Sequence, residues 1–322
     1  MYQVLYRKWR PTVFADVVGQ PQVTETLKNE LSVGRIAHAY LFTGSRGTGK
    51  TSTARILAKA LNCDKGPTAH PCGECANCLR ITEGSSMDVF EIDAASNRGI
   101  DEIKNLRDQL AFAPVNCRYK VFIIDEVHML STEAFNALLK ILEEPPKHLM
   151  FILATTELHK VPATILSRCQ RFSFRRISQE DIAARLQYVA YQEQIDLDEA
   201  AARVLARLAD GGLRDGLTLL DQCASAINGE LTAEKVYASL GIAGTQKCAE
   251  LMGCIARQDT PSALTLLNQL YADGKDMGAL LDEMACLTRD FMILRTAPRE
   301  GIGMLSGVAS DADAVALSEQ FS

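Results

Sequence analysis

The segment Gly44-Ser45-Arg46-Gly47-Thr48-Gly49-Lys50-Thr51 decides the fold of this chain. It satisfies the pattern G-x-x-x-x-G-K-[ST], in which glycines let successive backbone N–H groups turn inward around phosphate oxygens. An apolar run at residues 38–43 precedes the segment, and an amphipathic helical pattern at residues 50–61 follows it. The pattern therefore stands in the strand, loop and helix context that it requires, which predicts a nucleotide-binding loop.

The residues of this loop have distinct expected roles. Lys50 should reach the β and γ phosphates of ATP, and the hydroxyl of Thr51 should ligate Mg²⁺. The helix that begins at Lys50 adds the positive end of its dipole. We therefore assign nucleotide binding to Gly44, Ser45, Arg46, Gly47, Thr48, Gly49, Lys50, Thr51 and Ser52.

Short apolar runs alternate with helical patterns on the C-terminal side of the loop. Residues 88–93, Lys120–Asp125 and Leu149–Thr155 read as further buried strands, and residues 100–112 and Thr132–Glu143 read as helices. Such alternation predicts an α/β fold, a mostly parallel sheet with helices on both faces.

Polar residues follow two of these strands. Asp125 and Glu126 end one strand, where α/β proteins bind ligands, and unpaired carboxylates there would be costly without a metal. We assign Asp125 to the Mg²⁺ shell and Glu126 to polarising the attacking water, which makes ATP hydrolysis the expected reaction. Thr156 is assigned as a γ-phosphate sensor, although Thr155 is an equal candidate and threonine is common at strand ends.

Four of the ten cysteines form a cluster with the spacing C-x₈-C-x₂-C-x₂-C, at Cys63, Cys72, Cys75 and Cys78. Four soft thiolates in a reduced compartment favour tetrahedral zinc, with an iron–sulfur cluster as the alternative and His70 as a competing ligand. Four protein ligands leave no open position, so the metal is expected to be structural. The other cysteines are scattered singly and are expected to be reduced and buried.

Length and composition set further limits. A chain of 322 residues, 47% hydrophobic and 23% charged, fits two or three globular domains. A formal net charge of −6 excludes general electrostatic attraction to nucleic acid, so any such contact needs a local patch. No apolar run approaches the roughly 18 residues of a membrane span. The start lacks a signal-peptide core, so we expect a cytoplasmic protein without a membrane partner.

Helical periodicity takes over after Arg176. Ser178 is expected to open one helix, Asp196 or Asp198 the next, and Gly211-Gly212 breaks the chain before a third. Further along, apolar residues fall on one helical face, as core or as a partner groove: Met277, Leu280, Leu281, Met284, Leu287, Phe291 and Leu294. Residues 314–322 have the pattern of a helix cut short, as in a fragment of a longer chain.

Taken together, the motifs resemble the AAA+ ATPases, and within them the γ/τ subunits of bacterial DNA polymerase III, the motor of the sliding-clamp loader. The resemblance covers residues 2 to about 240. It is carried by Arg7-Lys8-Trp9-Arg10-Pro11, Val17-Val18-Gly19-Gln20, the loop at 44–51, Ile124-Asp125-Glu126-Val127-His128-Met129-Leu130, Asn136-Ala137-Leu138-Leu139-Lys140, Leu142-Glu143-Glu144-Pro145-Pro146, Ser167-Arg168-Cys169 and Leu213-Arg214-Asp215.

The resemblance implies further site residues. Arg168 would project into the ATP site of a neighbouring subunit as a trans-acting finger, an effect on the order of 10³ in rate in related enzymes; its spacing alone fits a surface arginine. Arg214 would be a second sensor of the γ phosphate. The resemblance places the adenine at Tyr6, Trp9, Val17 and Val18, although Trp9 fits ordinary packing equally well.

The resemblance also implies an architecture and partners. Residues 1–176 would form the nucleotide-binding domain with the zinc module at 63–78, residues 177–240 a helical lid, and residues 241–322 a truncated oligomerisation collar. The expected partners are the delta and delta-prime subunits, further gamma/tau copies, the sliding clamp and the backbone of primer-template DNA. Residues 96–100, with Arg98, and Lys104 are candidates for the DNA contact or for a simple helix cap.

The implied function is that of an ATPase motor that loads the clamp onto primed DNA. Two alternatives are a helicase or branch-migration motor with the same ATPase fold, and a nonhydrolysing scaffold of the loader. The zinc module and Ser167-Arg168-Cys169 argue against the first alternative. Lys50, Thr51 and Glu126 argue against the second, because a scaffold does not need a competent phosphate-binding loop.

Overall fold

The computed structural model describes residues 2–96, 113–298, 300–306, 308 and 311–319. The helix predicted at residues 100–112, together with Arg98 and Lys104, lies outside the described residues. The backbone divides into two compact units, one of Met1–Arg185 with Ala209–Thr218 and one of Leu186–Leu208 with Leu219–Ser322. The three domains expected at residues 1–176, 177–240 and 241–322 stay a prediction.

A parallel sheet forms the centre of the first unit. Its strands are β1 (Ala39–Thr43), β2 (Val89–Asp93), β3 (Lys120–Asp125), β4 (Leu149–Thr155) and β5 (Gln170–Ser173), in the spatial order β2-β3-β4-β1-β5. β1 and β4 are buried along their whole length, as expected for central strands covered on both faces. The predicted parallel α/β fold is therefore confirmed. β5 was not predicted from the sequence.

Helices cover the sheet. They are α1 (Leu5–Lys8), α2 (Pro21–Val33), α3 (Lys50–Asn62), α4 (Ala76–Glu83), α5 (Thr132–Glu143) and α6 (Ala163–Leu166), with 3-10 helices at Phe14–Asp16, Val127–Met129 and Leu158–Lys160. Residues of α2 and α3 pack with one face of the sheet, and residues of α5 pack with the other. The Ser131 side chain accepts a hydrogen bond from the Ala134 N–H (3.2 Å) and so caps α5.

A buried carboxylate fixes the loop that leads into β3. Asp88 is 0% exposed, and its side chain accepts hydrogen bonds from the backbone N–H groups of Val115, Asn116 and Cys117 at 2.8, 2.8 and 2.9 Å. Burial disfavours the charged form, but the N–H donors together outweigh burial and hold the pKa of Asp88 below its ordinary value. The ionised carboxylate therefore stabilises the fold.

Replacing Asp88 with asparagine is expected to lower the free energy of unfolding by about 2–4 kcal/mol, because it removes buried hydrogen bonds to a charged acceptor. Because the folded pKa is depressed, the contribution of Asp88 is present at neutral pH and disappears as pH falls below about 3.9 toward the folded pKa. Urea denaturation at neutral pH measures the loss. Asp64→Asn, at an exposed position, is the control; equal losses in both variants would contradict this assignment.

Helices also make up the second unit. Two helices, α7 (Gln179–Gln192) and α9 (Leu213–Ala226), begin in the first unit and continue in the second. The helices within the second unit are α8 (Glu199–Leu208), α10 (Ala233–Ser239), α11 (Thr245–Ala256), α12 (Thr260–Ala272), α13 (Met277–Thr296) and α14 (Asp311–Ser318). The Ser178 hydroxyl accepts the Asp181 N–H (3.1 Å), and the Asp198 carboxylate accepts the Ala200 N–H (3.2 Å). The cap predicted at Ser178 is confirmed, and Asp198 rather than Asp196 caps α8.

The apolar stripe predicted in the second unit lies on α13. Leu280, Leu287, Phe291 and Leu294 are buried in one cluster, and most of the stripe is core as predicted. Leu281 is 65% exposed, so its assignment to that face was wrong. The buried residues Leu280, Leu287, Phe291 and Leu294 are separated by seven, four and three residues, which are spacings that keep side chains on one face of a helix. Leu281 is one residue after Leu280 and so falls outside that face.

Among the described residues, no helix combines the length and the apolar character that crossing a membrane requires.

Candidate nucleotide-binding site

Glycines shape the loop that joins β1 to α3. Gly44, Gly47 and Gly49 have φ values of 145°, 77° and 100°, a backbone region that side chains disfavour. A Cβ at Gly44 would lie 2.3 Å from the Phe174 carbonyl oxygen, and a Cβ at Gly47 would lie 2.9 Å from the Gly212 Cα. Gly44 and Gly47 are therefore required by close approach as well as by conformation, and Gly49 is required by conformation.

Lys50 lies under this loop. Its side-chain ammonium donates to the carbonyl oxygens of Gly44 (2.9 Å) and Ser45 (2.8 Å), and the residue is 6% exposed. Burial lowers the pKa of Lys50, while the charges of Glu126 and Asp125 act in the opposite direction. The loop thus contains a buried cation. The Ser45 hydroxyl is also buried and has no partner within the described residues, as expected for a loop that receives a polar ligand.

Two acidic residues at the end of β3 face different partners. The Thr51 hydroxyl donates to an Asp125 carboxylate oxygen (2.6 Å), so the two predicted Mg²⁺ ligands are adjacent. Glu126 has a positive φ of 48°. Its Oε2 accepts hydrogen bonds from the N–H (3.1 Å) and the hydroxyl (2.8 Å) of Thr156. A non-glycine residue with positive φ is uncommon, and such strain concentrates at functional sites.

The two threonines after β4 have different surroundings. Thr155 is 0% exposed, and its hydroxyl oxygen lies 2.9 Å from Nδ1 of His128 and accepts the Glu157 N–H (3.0 Å). Thr156 is the threonine that contacts Glu126. Of the two threonines, Thr156 and not Thr155 is therefore the one hydrogen-bonded to the acid pair, through Glu126.

A cavity of about 940 Å³ joins the loop to the acid pair. Most of the predicted nucleotide-binding residues line it: Tyr6, Trp9, Val17, Val18, Arg46, Gly47, Thr48, Gly49, Lys50, Thr51, Ser52, Asp125, Glu126 and Arg214. The cavity is also lined by Arg10, Arg55, Lys59 and Asp93, for which no sequence pattern predicted a role. Arg10 belongs to the segment Arg7-Lys8-Trp9-Arg10-Pro11 that carries the family resemblance, but no spacing pattern connects it to the loop at 44–51.

The N-terminal segment reaches this cavity through contacts with α3. Arg10 Nε donates to the Ser52 hydroxyl (3.3 Å), and Lys59 Nζ donates to the Thr12 carbonyl oxygen (2.7 Å). The Arg214 guanidinium lies 4.8 Å from the centre of the Tyr6 ring, within cation–π distance. Tyr6, a predicted adenine contact, and Arg214, the predicted second sensor, are thus neighbours.

Arg168 lies outside the lining of this cavity. Its guanidinium donates to the Thr164 carbonyl oxygen (2.7 Å) and to a Glu143 carboxylate oxygen (2.7 Å), and its side chain is 32% exposed. Among the described contacts of Arg168, none is therefore with the loop at 44–51, with Asp125 or with Glu126 of its own subunit.

The predicted cysteine cluster is assembled. The sulfur atoms of Cys63, Cys72, Cys75 and Cys78 all lie within 4.8 Å of one another, and no disulfide joins the described cysteines. Hydrogen bonds from Glu74 and Cys75 lower the pKa of the Cys72 thiol to about 6, and burial raises the pKa of Cys78. Four sulfurs at Zn–S distances of about 2.3 Å would be roughly 3.8 Å apart, so the cluster fits one tetrahedral ion.

Backbone donors surround the cluster. The N–H groups of Cys72, Cys75 and Cys78 donate to the sulfurs of Cys63 (3.5 Å), Cys72 (3.3 Å) and Cys75 (3.5 Å). Such donors favour thiolates and orient them, as around bound metals. His70 is exposed and is not a member of the cluster.

Three family models match the chain in succession. A DNA polymerase III delta subunit model matches residues 19–178, a model of the ATPase lid domain of the DNA polymerase III clamp loader subunit matches 181–229, and a model of domain III of DNA polymerase III subunits gamma and tau matches 231–322. The matches leave few residues between them.

Curated relatives include DNA polymerase III subunits tau and gamma. DNA polymerase III subunit tau of Bacillus subtilis is 50% identical over 99% of this chain and 56% of its own length. DNA polymerase III subunit gamma of Buchnera aphidicola is 43% identical over 88% of this chain and 78% of its own length. The chain thus spans little more than half of the tau relative.

Solved structures support the fold. The Thermotoga maritima RuvB Holliday junction branch migration motor has a TM-score of 0.55 at 16% identity, over 77% of this chain and 79% of that one. This likeness shows a shared fold and nothing further. By sequence, the chain belongs to the family of DNA polymerase III subunits gamma and tau.

Proposed function

We propose that this chain is an ATPase motor subunit of the DNA polymerase III clamp loader, coupling ATP binding and hydrolysis to loading of the sliding clamp on primed DNA. The observation that carries the proposal is the cavity in which the loop at 44–51 meets Asp125 and Glu126, in a chain of the gamma and tau family. An intact Lys50 and Glu126 argue against a nonhydrolysing scaffold.

Within the subunit, each group has a chemical role that its contacts support. The loop N–H groups and Lys50 bind the phosphates of ATP, and Tyr6, Trp9, Val17 and Val18 surround the base. Thr51 and Asp125, already 2.6 Å apart, supply oxygen ligands for Mg²⁺. A Mg²⁺ ion held by these oxygens would supply positive charge against the charge that develops on the phosphates. Glu126 takes a proton from water, and Thr156 holds its carboxylate through Oε2.

Between subunits, we propose that Arg168 acts on the neighbour's nucleotide. Its position outside the cavity lining of its own subunit supports this assignment. Arg214 is proposed to sense the γ phosphate from the cavity wall, and residues 1–176, 177–240 and 241–322 are proposed to serve as ATPase domain, lid and collar. The partners are the delta and delta-prime subunits, further copies of this chain, the clamp and primer-template DNA.

Arg168→Ala is expected to leave ATP binding unchanged and to slow hydrolysis in the assembled loader, by a factor on the order of 10³. The loss arises because the transition-state charge of the neighbour's ATP loses a cation. Phosphate release measures the rate, and a fluorescent nucleotide measures binding. Arg203→Ala, which removes another exposed, ion-paired arginine, should change neither. Unchanged hydrolysis by Arg168→Ala in a fully assembled complex would refute the trans role.

We propose that the four clustered cysteines hold one structural zinc ion. Native mass spectrometry is expected to find one zinc per reduced chain, and Cys75→Ser is expected to lose it, because three thiolates no longer complete the tetrahedron. Cys286→Ser, outside the cluster, should retain zinc. A chain purified under reducing conditions that carries iron with visible absorbance, or no metal at all, would contradict the assignment.

Clamp transfer tests the proposed function directly. The chain is mixed with delta, delta-prime, clamp and primed circular DNA, and gel filtration counts the clamps that remain on the DNA. We expect clamp retention that requires both ATP and this chain. Equal retention when the chain is omitted would exclude a motor role.

A further inference from the structure

The 3-10 helix Val127–Met129 carries a histidine to which the proposed mechanism gives no role. The side chain of His128 is 5% exposed. The ring contacts polar groups of two residues. Nδ1 lies 2.9 Å from the Thr155 hydroxyl oxygen and 3.3 Å from Oε2 of Glu126. Nε2 lies 3.7 Å from a Glu157 carboxylate oxygen, beyond hydrogen-bond distance. The ring therefore contacts Glu126 through Nδ1.

Contacts on Glu126 converge on one oxygen. The Thr156 N–H and hydroxyl reach Oε2 at 3.1 and 2.8 Å, and His128 Nδ1 reaches the same atom at 3.3 Å. Glutamate is long and flexible, and the Glu126 backbone has positive φ. These contacts on Oε2 restrain the carboxylate, and no described contact occupies Oε1, which leaves that oxygen for a water molecule.

Thr155 holds the histidine ring in turn. The Thr155 hydroxyl is buried at the end of β4 and accepts the Glu157 N–H (3.0 Å), so its position is set by the backbone. The ring thus connects the rigid end of β4 to the side chain of Glu126 at the end of β3. His128 does not line the cavity of about 940 Å³ within the described residues.

We propose that His128 is a positioning residue for Glu126, acting through Nδ1. The inference rests on the proposed ATPase function and extends it, because it assigns the orientation of the base to a side chain that does not touch the nucleotide. Losing the Nδ1 contact lets the carboxylate rotate, so kcat falls. The KM for ATP stays unchanged, since Lys50, Thr51 and the loop are untouched.

Two substitutions separate the ring nitrogens. Asparagine places an amide near the position of Nδ1, whereas glutamine places one near Nε2. In the assembled loader, His128→Gln is expected to lower kcat about 10-fold or more, the usual scale for a group that orients another. His128→Asn is expected to keep most of the wild-type kcat. Both variants should keep the wild-type KM and nucleotide affinity.

His159→Gln is the matched control, because His159 also lies near Glu157 (3.6 Å) but is 77% exposed and does not contact Glu126 within the described contacts. Its kcat should equal that of the wild type. The urea midpoint of each variant is measured alongside. A kcat loss that asparagine fails to restore, or that glutamine restores better, would overturn the role of Nδ1, as would wild-type kcat in His128→Gln.

Glu126→Gln in the same assay separates this inference from the proposed function. If Glu126→Gln is inactive while the His128 variants turn over normally, the positioning role fails and the ATPase assignment stands. If Glu126→Gln hydrolyses ATP at the wild-type rate, the assignment of the base fails, and the positioning role fails with it.

Discussion

Lys50→Ala is expected to abolish ATP binding at working nucleotide concentrations, with a loss of affinity of about 100-fold or more. Lys50 is 6% exposed, and its ammonium donates to the Gly44 and Ser45 carbonyl oxygens. A desolvated cation interacts strongly with phosphate, and truncating one partner of such a pair costs about 2–5 kcal/mol. Isothermal titration with ATP and Mg²⁺ measures the affinity.

The control for this prediction is Lys28→Ala, which removes a partly buried lysine that pairs with Glu25 on α2. It should bind ATP as the wild type does. The urea midpoint of Lys50→Ala shows whether the loop still folds, since the substitution removes two hydrogen bonds to carbonyl oxygens. Wild-type affinity in a folded Lys50→Ala protein would exclude this loop as the phosphate site.

Glu126→Gln is expected to bind ATP normally and to slow its hydrolysis by about 10²–10⁴-fold, the scale of losing a general base. Glutamine has the same shape, and its amide oxygen still accepts hydrogen bonds from Thr156, so the site geometry is preserved. What is lost is the carboxylate that takes the proton. Single-turnover phosphate release in the assembled loader measures the chemical step.

Glu133→Gln, at an exposed position in the first turn of α5, provides the control. It should hydrolyse ATP at the wild-type rate. Turnover by Glu126→Gln within a fewfold of wild type would assign the base to another group. Loss of nucleotide binding in Glu126→Gln would instead show that the carboxylate has a structural or metal-binding role.

The central strands were predictable because each is buried on both faces. Lys120–Asp125 and Leu149–Thr155 read as continuous apolar runs with the bounds that the structure has. β5 gave no such signal: Gln170–Ser173 is short, pairs only with β1 among the described strands, and has one buried residue, Phe172. An edge strand of this kind is defined by its partner and not by its own composition.

In the nucleotide-binding site, too, residues that form a local sequence pattern were predictable, whereas residues brought together by tertiary packing were not. The loop at 44–51 is local in sequence, and its spacing alone indicates phosphate binding. Arg10 reaches Ser52 across 42 residues, and the Tyr6 ring meets Arg214 from the other end of the first unit. Such contacts arise from tertiary packing, which no single-sequence pattern encodes. His128 could have been suspected, since it stands two residues after Glu126, but its Nδ1 contact required the structure.

ATP turnover in the assembled loader tests the central claim most directly. Phosphate release by this chain is measured alone, and then with delta, delta-prime, clamp and primed DNA. A clamp-loader motor is expected to hydrolyse ATP faster when clamp and primed DNA are present together, because the cycle is completed on DNA. A rate that is the same with and without clamp and DNA would contradict the account.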